Sequence, residues 1–241
     1  MLTHQLSADP TAGRALVITP TQLLVLLQHG DSQFPSGSFA FSSGLEGLLA
    51  DGMIDAASLP DLIRAMLHGR WAHYERIALG LAWRANGDMP ALIALDAELE
   101  ASLLAPVERA GSARAGAALI TTHLRLGTPA AAALRAHIER GALRGHRLVV
   151  EGMLWRQIGL DELHATLLSG YGFVLGLCTA TVRLGKLGAL TQQAVIAALV
   201  TDIASLAAAP WPIPAVPRAF NPLAEIAMMR HAVRDRSLFA T

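Results

Sequence analysis

The sequence contains little of what most enzymes use for chemistry. Its only cysteine is Cys178 among 241 residues, which excludes an internal disulfide and fits a reducing compartment. Charged residues make up 16% of the chain and aromatic residues 5%. Neither the H-E-x-x-H motif nor the phosphate-binding G-x-x-x-x-G-K-[ST] loop occurs, which argues against a metalloprotease helix and against nucleotide hydrolysis by this chain.

The remaining candidates for reactive groups are isolated from one another. His68 and His73 are five residues apart, about 140° around an α-helix, so we do not expect them to bind one metal. Cys178 lies in an apolar run without a nearby base, which indicates an inert core thiol. Ser42 and Ser43 do not occupy a G-x-S-x-G elbow. We therefore predict no catalytic residue, no cofactor and no metal ligand, and interpret the chain as an interaction protein and not an enzyme.

The chain is rich in apolar residues, at 53%, with a mean hydropathy of +0.41. That content is high for a soluble monomer, so we predict a homodimer whose contact surface covers part of it. The net charge is zero, which gives no general attraction to nucleic acid. Residues 109–147 hold seven arginines and one acid but no aromatic residue on which bases could stack, so nucleic acid is not an expected partner.

The uncharged segment that could cross a membrane, residues 167–182, is shorter than the roughly 20 residues that span a bilayer. It also contains three glycines, so it is interpreted as a helix buried in a bundle and not as a membrane segment. The first residues show no basic stretch followed by an apolar one, which is the pattern of a secretory signal. We therefore predict a cytoplasmic protein without a membrane partner.

Apolar residues recur at helical spacing along most of the chain. The clearest stripe runs from Ile63 to Leu81, after a predicted capping box at residues 58–61. The fold class predicted is all-α: a single-domain helical bundle of about eight to ten helices. Its parts are a flexible arm (1–18), a helical core (19–209), and a segment (210–241) comprising a Pro-rich strap, a short helix and a partner-binding tail.

One stretch, residues 31–46, interrupts the helical pattern. Pro35 and Gly37 predict that the first helix ends near Gly30 and that a second begins near Ser38, which would cap it. Three of the six phenylalanines of the chain lie in this turn. Such an apolar turn is expected to be covered by the core or by a partner.

The pattern of these residues resembles the signature of the urease accessory protein family UreF. It comprises Asp31, Pro35, Gly37, Phe39, Ser42, Gly44 and Glu46. The segment after Gly170-Tyr171, reading Val182-Arg183-Leu184-Gly185, and the ending Pro222-Leu223…His231…Leu238-Phe239 are also similar to family segments. The ending departs from the family pattern at two positions: Ala232 replaces a glutamate and Ser237 an arginine, and Arg234 and Arg236 are candidates to supply the missing cation.

The resemblance implies an all-helical homodimer without catalytic groups that acts in urease maturation. It implies a scaffold that bridges UreD and the GTPase UreG on apo-urease and regulates GTP-dependent nickel delivery. The implied partner-binding residues are the seven signature positions together with Arg183, Arg230, His231, Arg234, Arg236, Leu238 and Phe239.

Several alternatives stay open from the residues alone. Arg183 is suited to clamp a carboxylate or phosphate, or else to interact with the dipole of its own helix. Glu46 is suited to recruit a cation of a partner, or else to favour its helix N-terminus. A helical enzyme or small-molecule receptor with a pocket around Trp71, Tyr74 and Tyr171 is a rival function, and a scaffold without contact to UreG is another.

Overall fold

A computed structural model of the chain describes residues 18–37, 43–218 and 221–231, and no strand occurs among them. The α-helices in chain order are α1 (Pro20–Gly30), α2 (Leu45–Ala50), α3 (Leu59–Met66), α4 (Arg76–Arg84), α5 (Met89–Ser102), α6 (Pro106–Arg125), α7 (Pro129–Glu139), α8 (Arg147–Gln157), α9 (Glu162–Arg183), α10 (Ala189–Ala208) and α11 (Pro222–His231). A π-helix, Leu67–Glu75, joins α3 to α4 without a break. If this continuous rod is counted as one helix, the described residues contain ten, and the predicted all-α single-domain fold is confirmed.

The rod contains the stripe predicted from residue 63 to residue 81. Ile63, Trp71 and Ile77 are fully buried along it. The middle of the rod is wider than an α-helix, since the backbone N–H of Arg76 donates to the carbonyl of Trp71, five residues earlier. The sequence analysis did not predict this π-helix.

The core consists of two clusters of apolar side chains that share the rod and α9. One lies where α4, α5, α6, α7 and α8 pack together, around Leu79, Leu119 and Leu154. The other lies where α3, the π-helix, α9 and α10 meet, around Trp71 and Cys178. The thiol of Cys178 is buried and free, and burial raises its pKa to about 11, which agrees with an inert core residue.

Side-chain caps define the starts of two helices. Thr19 forms a capping box with Gln22 at the start of α1, and Asp161 accepts from the backbone N–H of His164 at the start of α9. The capping box predicted at residues 58–61 is wrong. The hydroxyl of Ser58 bonds to Asp55 instead, so it caps no N–H of α3.

The helix that contains Glu46 begins later than predicted. Ser43 and Gly44 have φ values of +50° and +88°, which an α-helix does not allow, so α2 starts at Leu45. Ser38, the predicted start, lies outside the described residues, as do the whole of segment 38–42 and residues 1–17 of the predicted N-terminal arm.

The Pro-rich strap is fastened to the rod at its beginning. The guanidinium of Arg76 donates to the carbonyls of Leu206, Ala209 and Pro210, at the end of α10. The next residue, Trp211, lies over Gly80, where an added Cβ would be 2.2 Å from the indole ring. Beyond this anchor Ile213 is 98% exposed, so the strap presents an apolar side chain to solvent.

Two helices, α9 and α10, are long and apolar enough to cross a membrane by length and composition alone. In α9, 61% of the most apolar window is buried inside the protein, as expected for a helix inside a bundle. In α10 the share is 22%, so much of this helix is not covered by the part of the chain that the structure describes.

Candidate functional site

The first half of the singled-out stretch forms a turn that packs on α6. Asp31 follows α1, and its carboxylate accepts from the backbone N–H of Gln33 at 2.7 Å. The carbonyl of Pro35 accepts from the hydroxyl of Thr122 at 2.8 Å. Gly37 has a φ of +72°, and a Cβ added there would be 2.9 Å from the Cβ of Ala118. The turn therefore needs glycine for its backbone conformation and for its close approach to α6.

The second half of the stretch, together with the start of α2, packs against the C-terminal helix α11. A Cβ added at Gly44 would lie 2.8 Å from the carbonyl oxygen of Ala224, and one at Gly47 would lie 2.5 Å from that of Ala227. Both alanines are buried, at 2% and 1% exposure. We call this contact between α2 and α11 the glycine seat. It brings the signature segment into contact with the C-terminal helix, a contact that the sequence alone did not predict.

The other predicted site residues occupy several places. Glu46 is 7% exposed in the first turn of α2, which favours its role at the helix N-terminus over recruitment of a partner. Arg183 is the exposed last residue of α9, where a cation stabilises the helix dipole. Arg230 is exposed on α11, 3.9 Å from the carboxylate of Asp51. The predicted residues Phe39, Ser42, Arg234, Arg236, Leu238 and Phe239, and the side chain of His231, lie outside the described residues.

A chain of five charged side chains, of which Glu75 and Glu151 are buried, lies near the glycine seat and was not predicted. Arg147 binds Glu151 at 2.8 Å and Glu75 at 2.7 Å. Arg70 binds Glu75 at 3.3 Å and also pairs with Glu108. The order is therefore Glu151–Arg147–Glu75–Arg70–Glu108, which we call the charge chain. It connects the π-helix to α6 and α8.

Comparison with known proteins shows the family of the chain. The family model described as UreF matches residues 53–200. The chain belongs to the UreF family. Urease accessory protein UreF of Actinobacillus pleuropneumoniae is 30% identical over 187 residues, covering 76% of this chain and 82% of that protein. The protein of the same name from Trichodesmium erythraeum is 29% identical over 236 residues, covering 91% and 97%.

The family model covers the helical core of this UreF-family chain and stops short of both ends. The signature at residues 31–46 and the glycine-seated helix α11 lie outside the matched range 53–200. The family membership therefore supports a role in urease maturation, while the roles of individual residues at the two ends remain predictions.

The charge chain has three carboxylates and two guanidinium groups, and the pKa shifts of its carboxylates differ. Burial opposes ionisation of Glu75, but Arg147 and Arg70 together outweigh it and lower its pKa. Burial raises the pKa of Glu151, and its pair with Arg147 offsets that effect only in part. Burial and then the nearby Glu108 carboxylate raise the pKa of Glu225 on α11. Two arginine neighbours thus favour the ionised form of the central carboxylate, Glu75.

Two histidines pack against the turn: His123 is buried and His29 is partly buried. The rings of His29 and Phe34 have centroids 4.4 Å apart, and those of His29 and His123 are 5.3 Å apart. Burial lowers the pKa of His29, and it lowers that of His123 to about 4. Each ring also forms one hydrogen bond through Nδ1, His29 with the carbonyl of Val25 and His123 with the hydroxyl of Thr128.

The described residues contain no group of three or more His, Cys, Asp or Glu that could hold a metal ion. His68 and His73 were expected on different sides of an α-helix. Both lie in the π-helix instead, where residues five apart share a side. His68 lies 3.2 Å from Asp202.

The three aromatic residues of the rival small-molecule function do not surround one pocket. Trp71 is buried and donates its indole N–H to the hydroxyl of Ser169 at 3.1 Å. Tyr171 is 38% exposed, beside Gly30. Of the three, only Tyr74 lines the cavity of 170 Å³ that lies against the charge chain.

We expect Gly47→Ala to detach α11 from α2, since the added methyl group has no room against the carbonyl of Ala227. The free energy of unfolding should fall by about 1–3 kcal/mol, and amide hydrogen exchange in residues 222–231 should accelerate. The control is Gly69→Ala, where no described atom lies within 4 Å of the added Cβ. Unchanged exchange in α11 would contradict the glycine seat.

We expect Arg147→Met to lower the free energy of unfolding by about 3–5 kcal/mol, because it leaves buried Glu151 without a cation and Glu75 with one. The control is Arg64→Met, which removes the exposed pair with Asp202 and should cost about 0–1 kcal/mol. Denaturant titration measures both. Equal losses in the two variants would show that the charge chain behaves like a surface pair.

Proposed function

We propose that this chain acts in urease maturation as a non-catalytic helical scaffold. It contacts UreD and the GTPase UreG on apo-urease in the cytoplasm, and it regulates GTP use while nickel, the cargo, passes to the enzyme. The relatives that it resembles over most of its length are urease accessory proteins, which supports the general role.

The observation that carries the proposal is the glycine seat. It fixes α11 on α2, so residues 232–241 follow from the end of a helix that is packed beside the signature. Arg230, in the last turn of α11, is exposed next to Asp51 of α2. A partner that binds the tail would therefore meet signature residues at the same surface, which is how we assign UreD to this side of the molecule.

The seat also determines how the tail has to be tested. A deletion of residues 222–241 would remove Ala224, Ala227 and Met228, which are buried, and would disturb the packing of the core. A deletion of residues 232–241 leaves α11 in place. We expect this shorter deletion to weaken capture by tagged UreD by roughly tenfold or more, with an unchanged circular dichroism spectrum.

The matched control for this pull-down removes residues 1–17 from the other end of the chain and should leave capture of UreD unchanged. If the chain without residues 232–241 is captured as well as the full chain, the tail does not bind UreD. A urease activation assay on the same variants then tests whether contact with UreD is needed for nickel loading.

A homodimer is supported by the exposed apolar face of α1. This helix of eleven residues has no buried side chain, and Leu23, Leu24 and Leu27 are 46%, 66% and 62% exposed. A short helix in water gains most of its stability from packing, and the described residues leave every side chain of α1 at least partly exposed. We therefore propose α1 as the dimer interface.

We expect Leu24→Glu combined with Leu27→Glu to convert the dimer to a folded monomer, because two carboxylates would be buried without partners at the interface. Light scattering coupled to size-exclusion chromatography gives the mass of each form. Val200→Glu, on the exposed face of α10, is the comparison variant and should remain dimeric. If the wild-type chain is a monomer, the proposed dimer is wrong. If the double variant is still a dimer, the interface does not lie on α1.

Arg183 is the residue that we propose to test first for a role in regulating GTP use by UreG. Its exposed position at the end of α9 leaves its guanidinium near the surface, and its interaction with the helix dipole is compatible with a second role. The rival scaffold without contact to UreG differs in one observable: it would co-purify with UreD but leave GTP hydrolysis by UreG unchanged.

A further inference from the structure

A cavity of 170 Å³ lies beside the charge chain. Among the described residues, its walls come from α1, the signature stretch, the π-helix, α5, α6, α8 and α9, with Met228 of α11 on one side. A dry protein cavity of about 150 Å³ is known to take a benzene molecule, so the volume suits one small ring or a short alkyl chain.

The cavity is apolar on most of its lining and charged on one side. Leu99, Leu103 and Leu168 contribute to the apolar part. All five side chains of the charge chain contribute to the charged part. An apolar pocket with a few convergent polar groups is the usual form of a small-molecule site.

The charged side chains of the cavity wall determine whether a cation or an anion would bind there. Both arginines already bind two carboxylates each, and three carboxylates face two guanidinium groups. The end members, Glu108 and Glu151, have one arginine partner apiece. A carboxylate accepts up to about four hydrogen bonds, so these two ends retain capacity for a donor, and a further anion would be repelled.

Two buried polar atoms on the lining point to an occupant independently of the charges. Trp155 is 6% exposed, and its indole N–H has no hydrogen-bond partner among the described residues. His29 donates its Nδ1–H to the carbonyl of Val25 at 2.9 Å, and its buried Nε2 has no described partner. Buried polar atoms without partners are rare, and both of these residues line the cavity.

We propose that this cavity is a binding site for a small organic cation, a primary ammonium or guanidinium group on an apolar stem. The charged head lies against the carboxylates of Glu151 and Glu108, and the stem lies against the leucine side chains. A polar atom on the stem satisfies the indole N–H of Trp155. The cavity borders the signature residue Gly44 and Met228 of α11, but the proposal does not depend on the contacts with UreD and UreG.

The test uses tyramine and its neutral analogue tyrosol, in which a hydroxyl replaces the ammonium group. Both have a phenol ring that fits the volume, so the pair isolates the charge. Isothermal titration calorimetry of the full-length chain should give saturable binding of tyramine in the millimolar range or tighter. Tyrosol should bind roughly tenfold more weakly, since it lacks the charge-assisted hydrogen bond.

The variants Glu151→Gln and Glu108→Gln test the two ends of the charge chain separately, so one remains informative if the other fails to fold. Each should abolish or strongly reduce the preference for tyramine over tyrosol. Glu139→Gln, on the exposed surface of α7, is the matched control and should keep the full preference. Circular dichroism and denaturant titration establish that each variant is folded.

Three results would overturn the proposal: no saturable binding of tyramine, equal binding of tyramine and tyrosol, or an unchanged preference in both folded variants. A lysine side chain of a partner protein is another source of the same chemistry. Titration with Nα-acetyl-lysine amide separates the two sources, because tighter binding of that compound than of tyramine would identify a side chain as the occupant.

Discussion

The placement of the helices around the cavity depends on the charge chain. Glu151, Arg147, Glu75, Arg70 and Glu108 alternate in sign and join α8, the π-helix and α6. Charges removed from water are tolerated only when each has its partner in good geometry. The charge chain therefore restricts how far these three elements can move relative to one another. The signature turn and α11 pack against these elements, so their positions are restricted as well.

The charge chain can form because residues Leu67–Glu75 adopt a π-helix. Arg70 and Glu75 are five residues apart and form an ion pair, which a regular α-helix would place on different sides. The same widening keeps Tyr74 on the cavity wall, where burial raises its pKa to about 12. A backbone irregularity in the longest rod of the protein is thus what brings charged side chains into an otherwise apolar centre.

Much of the fold could be predicted because its signals are local. The start of α1 at Pro20, the cap at Asp161 and the stripe from Ile63 to Leu81 each depend on a few neighbouring residues. Family membership was also predictable from motifs of this kind. The charge chain was not, because its members come from distant parts of the sequence and each alone resembles an ordinary surface charge. The π-helix has no periodic signature of its own, and the hydroxyl of Ser58 had a competing partner in Asp55.

The docking of α11 on α2 has a practical consequence for how the protein is handled. The helix ends at His231, and only ten residues follow it. An affinity tag or fluorescent protein fused after Thr241 would be tethered within that short reach of the signature surface. It would compete for space with any neighbouring subunit there. Fusions placed before Met1 avoid this particular crowding, so they are the better choice for isolating assemblies that contain this chain.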